Sequence, residues 1–314
     1  MDNRILCVVG PTATGKTKMG VALAKRFGGE VVSVDSMQIY RGMTVGTAAP
    51  TPEEMDGVPH HMIAVADPRE SWSVAKFTEQ ADRCVQDILR RGKRPVLVGG
   101  TGLYLDSLVA GRTFAPGSSG GETRKELQEE LSRRGVEALY RELAQVDPVC
   151  AARLHLSDEK RILRARGVYR QTGETITEHD ARTRALPPRY RAYYIGLSFR
   201  ERADLYARID RRVDAMVDRG LLQEVEGLLQ SGLPEDATAL QAIGYKQFLA
   251  VRRGEATAQE AVEEVKLRSR QYAKRQLTWL RRNEVIHWIL WEKEPNFPMG
   301  LQNATEYLTA QGLG

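Results

Sequence analysis

The stretch CVVGPTATGKTKMGVAL, residues 7–23, decides the fold. Gly10, Pro11, Thr12, Ala13, Thr14, Gly15, Lys16 and Thr17 satisfy G-x-x-x-x-G-K-[ST], a loop whose backbone amides close around a phosphate. Ile5 to Val9 ahead of it is a continuous apolar run, as expected of a strand buried on both faces of a parallel sheet. Met19, Ala22, Leu23 and Phe27 behind it recur at helical spacing until Gly28-Gly29 ends the helix. That order puts inward-pointing amides at the positive end of a helix, with Lys16 as a mobile charge. The Thr17 hydroxyl is suited to hold Mg²⁺, the expected cofactor.

Further apolar runs supply the rest of a sheet. Glu30 to Val34 ends in DSMQIYRG, which aims Asp35 at the carboxyl edge where open α/β sheets bind ligands. An aspartate after a strand often only caps the following helix, which is the alternative reading of Asp35. Pro95 to Val98 ends in GGTGLY, placing Thr101 among glycines that allow close backbone approach. Met62 to Val65, Tyr193 to Leu197 and Val285 to Leu290 are further strand candidates. The pattern breaks at FAPGSSGGETRKEL and resumes after ALPPRYRAYYIGL, where Pro187-Pro188 forces extended backbone. The expected fold is therefore α/β: a P-loop NTPase-like parallel sheet flanked by helices, residues 1–115 and 192–314, with an inserted all-helical domain at 116–191.

Composition limits the partners. The chain has 314 residues, 42% hydrophobic and 28% charged, enough for about two domains. No apolar run approaches the ~20 residues of a membrane span, and charged Asp2 and Arg4 argue against a leader, so a cytoplasmic protein with no membrane partner is expected. Cys7, Cys84 and Cys150 have no disulfide or zinc spacing. His60-His61 has no third ligand at metal spacing, which favours packing or hydrogen bonding. A formal charge of +5 is mild, so placement matters more than total.

Two basic segments stand out. Ser157 is placed to cap a helix carrying Lys160, Arg161, Arg164, Arg166 and Arg170. KLRSRQYAKRQLTWLRR, residues 266–282, has seven basic residues and no acidic one, with Val262, Val265, Ser269, Tyr272, Gln276 and Trp279 on its inner stripe. A face of one sign repels itself unless an anion lies against it, and a phosphate backbone is the usual anion. Small-molecule kinases share the phosphate loop and second-strand carboxylate; two basic helices point instead to a large nucleic-acid substrate.

The motifs GPTATGKT, VVSVDSMQIYRGM, VGTAAP, PHHMI, SVAKF, PVLVGGTGLYL, VDPVCAARLHLSDEKRI, ALQAIGYKQ and AKRQLTWLRR, in this order, resemble the tRNA dimethylallyltransferases over nearly the whole chain. No Cys/His finger follows Arg282, so the resemblance is to the bacterial type. It implies transfer of a five-carbon group from dimethylallyl diphosphate to N6 of the adenosine just 3′ of the anticodon, position 37, by a monomer. The adenine would be flipped into the site. On the helix LYARIDRRVDAM, where Leu205, Ile209, Val213 and Met216 form a buried stripe, Arg212 matches the family's diphosphate-binding arginine. The resemblance implies that Asp35 takes the amine's proton while Thr101 orients it. As tRNA contacts it implies Asp35, Ser36, Met37, Gln38, Thr101, Thr123, Glu159, Lys160, Arg161, Ile162, Leu163, Ala242, Ile243, Gly244, Tyr245, Lys246, Lys274, Arg275, Gln276, Trp279 and Arg281. The chain departs from the pattern at Arg166-Gly167, where Leu-Glu is usual, and at Thr44 and Ala49. A small-molecule kinase and a non-catalytic RNA-binding NTPase remain as alternative readings.

Overall fold

The computed structural model describes residues 2–114 and 122–313. Six strands, β1 (Arg4–Val9), β2 (Gly29–Val34), β3 (His60–His61), β4 (Arg94–Gly99), β5 (Arg191–Phe199) and β6 (His287–Trp291), form one sheet in the order β3-β2-β4-β1-β5-β6. All five pairings are parallel. Helices α1 (Lys16–Arg26), α2 (Pro52–Met55), α3 (Val74–Arg90) and α4 (Gly102–Ala110) come first; α5 (Glu122–Arg134), α6 (Val136–Val146), α7 (Pro148–Ala151), α8 (Glu159–Thr172) and α9 (Ile176–Arg184) follow; α10 (Arg202–Asp218), α11 (Leu221–Gln230), α12 (Tyr245–Arg252), α13 (Ala258–Leu280) and α14 (Phe297–Ala310) complete the chain. No helix among the described residues is long and apolar enough to cross a membrane.

The chain divides into two compact units. One comprises Met1–Ser71, Thr78–Val109 and Tyr190–Gly314; the other comprises Trp72–Phe77 and Ala110–Arg189. The expected insert boundary at 116 lies outside the described residues, while Arg191, assigned to the insert from sequence, is the first residue of β5. The apolar runs that read as strands are buried: Ile5 through Val9 are at most 1% exposed. The stripe Leu205, Ile209, Val213 and Met216 is the buried face of α10, as its spacing predicts.

One strand expectation is corrected. Met62 to Val65 is not a strand; the strand is His60–His61, pairing with Val31 and Val32. Met62 and Ala64 sit at φ 63° and 51°, in the left-handed region that an extended strand cannot use.

In the helical unit a separate core gathers Leu127, Leu139, Leu143, Cys150, Ile162 and Leu163. Asp147 pins it: Oδ1 accepts from the Cys150 amide at 2.9 Å and the Thr177 hydroxyl at 2.6 Å. α8 is capped by Asp158, not Ser157, and Asp158 accepts from the His155 amide instead of from its own helix. Gly167 is buried on this helix, where an added Cβ would stand 3.4 Å from Leu127. Ile162 is 0% exposed. Ile162→Ala is expected to destabilise the helical unit by about 2–5 kcal/mol through the cavity it leaves. Urea denaturation followed by circular dichroism measures this, and a loss below about 1 kcal/mol would contradict a core role.

Candidate active site

β1 and β4 are sheet neighbours, yet the chain leaves β1 for β2 on one side and leaves β4 for β5 on the other. That reversal opens a crevice beyond their carboxyl ends, where ligands of such sheets bind. A cavity of about 380 Å³ lies there, within the sheet-containing unit. Its wall includes Thr12, Ala13, Gly15, Lys16 and Thr17 from the phosphate loop and Asp35, Ser36, Met37 and Gln38 from the turn after β2. Gly99 and Gly100 after β4, Arg212 of α10, Ala242 and Ile243 before α12, and Tyr272, Arg275 and Gln276 of α13 complete the polar side. Val31, Ile63, Val98, Met216 and Val265 supply an apolar side.

The loop is shaped by braces from distant elements. Gly15 caps α1 in the left-handed region at φ 84°, where a side chain is disfavoured. Thr14 is buried and its hydroxyl donates to the Pro11 carbonyl at 2.9 Å. Arg208 Nε donates to the Ala13 carbonyl at 3.0 Å, and Trp291 Nε1 to the Thr14 carbonyl at 3.0 Å. Thr12 donates its amide to Gln276 Oε1 at 3.0 Å. Gly10, Pro11 and Thr14, expected at the diphosphate, therefore shape the loop from behind and do not reach the cavity wall.

The cavity's charge is uneven. Lys16, Arg212 and Arg275 line it, and Asp35 is its one carboxylate among the described residues. Lys16 Nζ donates to the Pro11 carbonyl at 2.7 Å. Burial, then the neighbouring Arg212 cation, push Lys16 down to about 7 against the opposing pull of Asp35. Burial likewise lowers Arg212, and its Nε has no hydrogen-bond partner. A buried guanidinium with an unused donor is costly unless an anion meets it.

Asp35 is on the cavity wall, and no helix follows for it to cap; its side chain closes a turn instead. Oδ1 accepts from the Met37 and Gln38 amides at 2.8 and 3.2 Å, holding the turn, while Oδ2 makes no hydrogen bond to a described residue. Thr101 precedes α4, with its carbonyl accepting from Tyr104 and Leu105; its buried hydroxyl faces the Tyr272 hydroxyl, and it is not on the cavity wall. Tyr272, which reads from sequence only as part of an inner stripe, is a wall residue beside Thr101. His60 Nδ1 donates to the Val58 carbonyl at 2.8 Å, so the opposite nitrogen is the acceptor of a neutral ring; it is buried, unpartnered and on the wall. His61 pairs with Glu30.

Several expected RNA contacts belong to the interior. Ile162 and Leu163 point into the core of the helical unit, leaving Glu159, Lys160 and Arg161 as the exposed part of that stretch. Tyr245 is 0% exposed and donates to Glu224 Oε1 at 2.5 Å. Glu224 in turn accepts the amides of Thr44, Val45 and Gly46 at 2.8, 2.8 and 3.0 Å, fixing the strip that roofs the cavity. Nothing in the sequence marks Glu224, because the three amides that it gathers lie 178 to 180 residues away. Trp279 donates to Asp106 at 2.7 Å and lies against Gly102. Gly244 and Lys246 flank Tyr245 off the wall, and Thr123 opens the first turn of α5.

The basic helices are less one-signed than they read. On α13, Lys266 pairs with Asp214 at 2.8 Å, Arg268 with Glu264 at 2.6 Å and Arg270 with Asp210 at 2.6 Å. Lys274, Arg275, Arg281 and Arg282 make no ion pair among the described residues; Arg275 lies over Tyr272 and Arg282 over Trp279. On α8, Arg166 pairs with Glu142 and Arg170 with Glu130, leaving Lys160 and Arg164 unpaired. The departure Arg166 thus forms an internal ion pair.

Comparison with known proteins agrees with this geometry. Residues 38–283 match the family model described as IPP transferase, and residues 3–69 match isopentenyl transferase. A tRNA dimethylallyltransferase of Acetivibrio thermocellus is 42% identical over 313 residues, covering 100% of this chain and 99% of the relative. One from Geobacter metallireducens is 46% identical, with 91% and 92% covered. The crystal structure of a full-length tRNA isopentenylpyrophosphate transferase from Bacillus halodurans superposes with TM-score 0.73 at 40% identity, covering 98% and 96%. A eukaryotic dimethylallyltransferase acting on tRNA gives TM-score 0.82 at 28% identity, covering 98% of this chain and 77% of that one. A loop that takes a phosphate, one carboxylate beside it and a family match across most of the chain coincide: the chain belongs to the IPP transferase family.

Proposed function

We propose that the protein is a tRNA dimethylallyltransferase that moves the dimethylallyl group of dimethylallyl diphosphate onto N6 of adenosine 37. The observation that carries this reading is the pairing of one carboxylate, Asp35, with buried cations Lys16 and Arg212 on one cavity wall. In the reaction the C1–O bond of the donor breaks, the N6–C1 bond forms, N6 loses a proton and diphosphate leaves. Loop amides, Lys16 and Arg212 meet the charge growing on diphosphate, and Arg212 does so with a donor the protein itself leaves unused. The adenine amine is a poor nucleophile because its lone pair feeds the ring, so the uncommitted Oδ2 of Asp35 takes its proton as the bond forms. The Tyr272 hydroxyl on the wall orients the amine, and Thr101 behind it holds that hydroxyl in place. The apolar side, Val31, Ile63, Val98, Met216 and Val265, accommodates the hydrocarbon and excludes water from the allylic carbon.

Mg²⁺ fits the residues present. The Thr17 hydroxyl is on the wall at the start of α1, and the donor's own oxygens would complete an all-oxygen set. Bound there, Mg²⁺ would neutralise part of the diphosphate charge. A stacked adenine cannot enter such a cavity, so the base must be flipped out, with Ala242, Ile243 and Arg275 at the wall and the unpaired cations of α13 on the RNA backbone. A tRNA substrate agrees with a cytoplasmic monomer. Nucleotide turnover without RNA, as a kinase requires, is not expected. The direct test incubates the protein with unmodified tRNA and dimethylallyl diphosphate and seeks the five-carbon mass gain on one adenosine; nucleotide hydrolysis with no such gain would overturn the assignment.

Three outcomes follow from the residue roles. Asp35→Asn should keep tRNA affinity and lose single-turnover transfer by about 10²-fold or more, since the proton acceptor is gone; near-normal transfer would remove Asp35 from that role. Lys16 titrates near 7 in the free protein, and a bound diphosphate favours its charged form, so binding takes up a proton. The affinity ratio of wild type to Lys16→Met for inorganic diphosphate should therefore fall by up to about tenfold per pH unit above 7. Calorimetry from pH 6 to 9 measures it, and a flat ratio would place Lys16 away from the anion. Reversing unpaired Lys274 and Arg275 to Glu should weaken tRNA binding and flatten its log–log salt slope by about 1.4–1.8. Reversing paired Arg268 should change the slope by much less, and equal effects would show that ion pairing does not decide which face meets RNA.

A further inference from the structure

We propose that Gln276 is a positioning residue for the diphosphate loop, and not the RNA contact that the family resemblance implies. Its side chain is only 7% exposed. Oε1 accepts from the Thr12 amide at 3.0 Å, and Nε2 donates to the Gly100 carbonyl at 3.1 Å. Thr12 lies in the loop after β1 and Gly100 in the segment after β4, the two strands between which the chain reverses direction. One side-chain amide thus ties together the two segments that flank the crevice.

The chemistry selects glutamine. The bridge needs an acceptor facing an N–H and a donor facing a carbonyl, at the end of one side chain. A glutamate would set oxygen against the Gly100 carbonyl, and a methionine would satisfy neither group. Gly100 is part of the same device. A Cβ built there would stand 2.2 Å from Gln276 Nε2 and 2.9 Å from the Gly10 carbonyl oxygen, so a side chain would displace the amide and press on the start of the phosphate loop. Because Gln276 occupies the Thr12 amide, that N–H shapes the loop, and anion binding falls to the groups further along it. Gln276 also sits next to Arg275 on the wall and Lys274 on the exposed face, so the helix that carries unpaired cations also holds the loop.

The inference rests on reading the loop as the site of a diphosphate, and it is tested with inorganic diphosphate and Mg²⁺ by calorimetry, beside tRNA binding. Gln276→Met removes both hydrogen bonds at nearly constant volume; Gly100→Ala leaves glutamine in place and pushes it out. Each should weaken diphosphate binding on the order of tenfold, the loss expected from two hydrogen bonds, while tRNA affinity stays within about twofold. In turnover the donor KM should rise more than kcat falls. Wild-type binding of diphosphate and transfer, measured in parallel, test the functional reading separately from the bridge. Wild-type diphosphate affinity in either folded variant overturns the proposal. So does loss of tRNA affinity with diphosphate binding intact, which would return Gln276 to the RNA. Should Gln276→Met fail to fold, Gln276→Glu, which keeps an acceptor for the Thr12 amide and sets oxygen against the Gly100 carbonyl, decides by the same measurement.

Discussion

Positive charge drawn partly out of water and faced by one carboxylate is the constraint on which the rest of the site depends. Lys16 and Arg212 face one cavity that holds a single carboxylate, and Arg212 keeps an unused buried donor. Such an arrangement costs the free protein stability and is repaid when an anion arrives. It survives only because the surrounding backbone cannot relax around it. Arg208, Trp291 and Gln276 each hold a different atom of the phosphate loop, from three elements far apart in sequence.

The same logic organises the acceptor side. Asp35 is divided: one oxygen closes the turn after β2, and the other makes no hydrogen bond to a described residue. Glu224 performs a comparable service for the roof, gathering three successive amides and the Tyr245 hydroxyl around one carboxylate. Burial alone would raise its carboxyl; those hydrogen bonds outweigh burial and hold it below the usual range. The stretch between Gly244 and Gln247 thus works through Tyr245 as an internal post.

Charge on the two basic helices is distributed with equal economy. Acidic residues from α5, α6 and α10 neutralise the parts of α8 and α13 that pack against them. What remains, Lys160 and Arg164 on one and Lys274, Arg275, Arg281 and Arg282 on the other, is smaller than the sequence suggests and better placed to discriminate. An ion pair already satisfied inside the protein has little to offer a phosphate, because its charge is screened at source.

By itself the sequence determined the features that rest on local chemistry. A glycine-rich loop between an apolar run and a helical repeat admits one arrangement, so the phosphate loop, β1, β2, β4, the buried stripe of α10 and the place of Asp35 were legible in the order of residues. Local rules failed where backbone conformation depends on neighbours: Met62 and Ala64 take left-handed angles that end the strand at His61. Only the tertiary structure decided which polar residues are free. The family resemblance makes Gln276, Tyr245 and Ile162 RNA contacts, and three cations of α13, Lys266, Arg268 and Arg270, read from sequence as a bare charged face. Their partners, Thr12, Glu224, the Leu127 cluster, Asp210 and Asp214, are brought to them by the fold across distances no periodicity encodes. A hydrogen bond or ion pair forms between atoms adjacent in space, and that adjacency is a property of the folded chain.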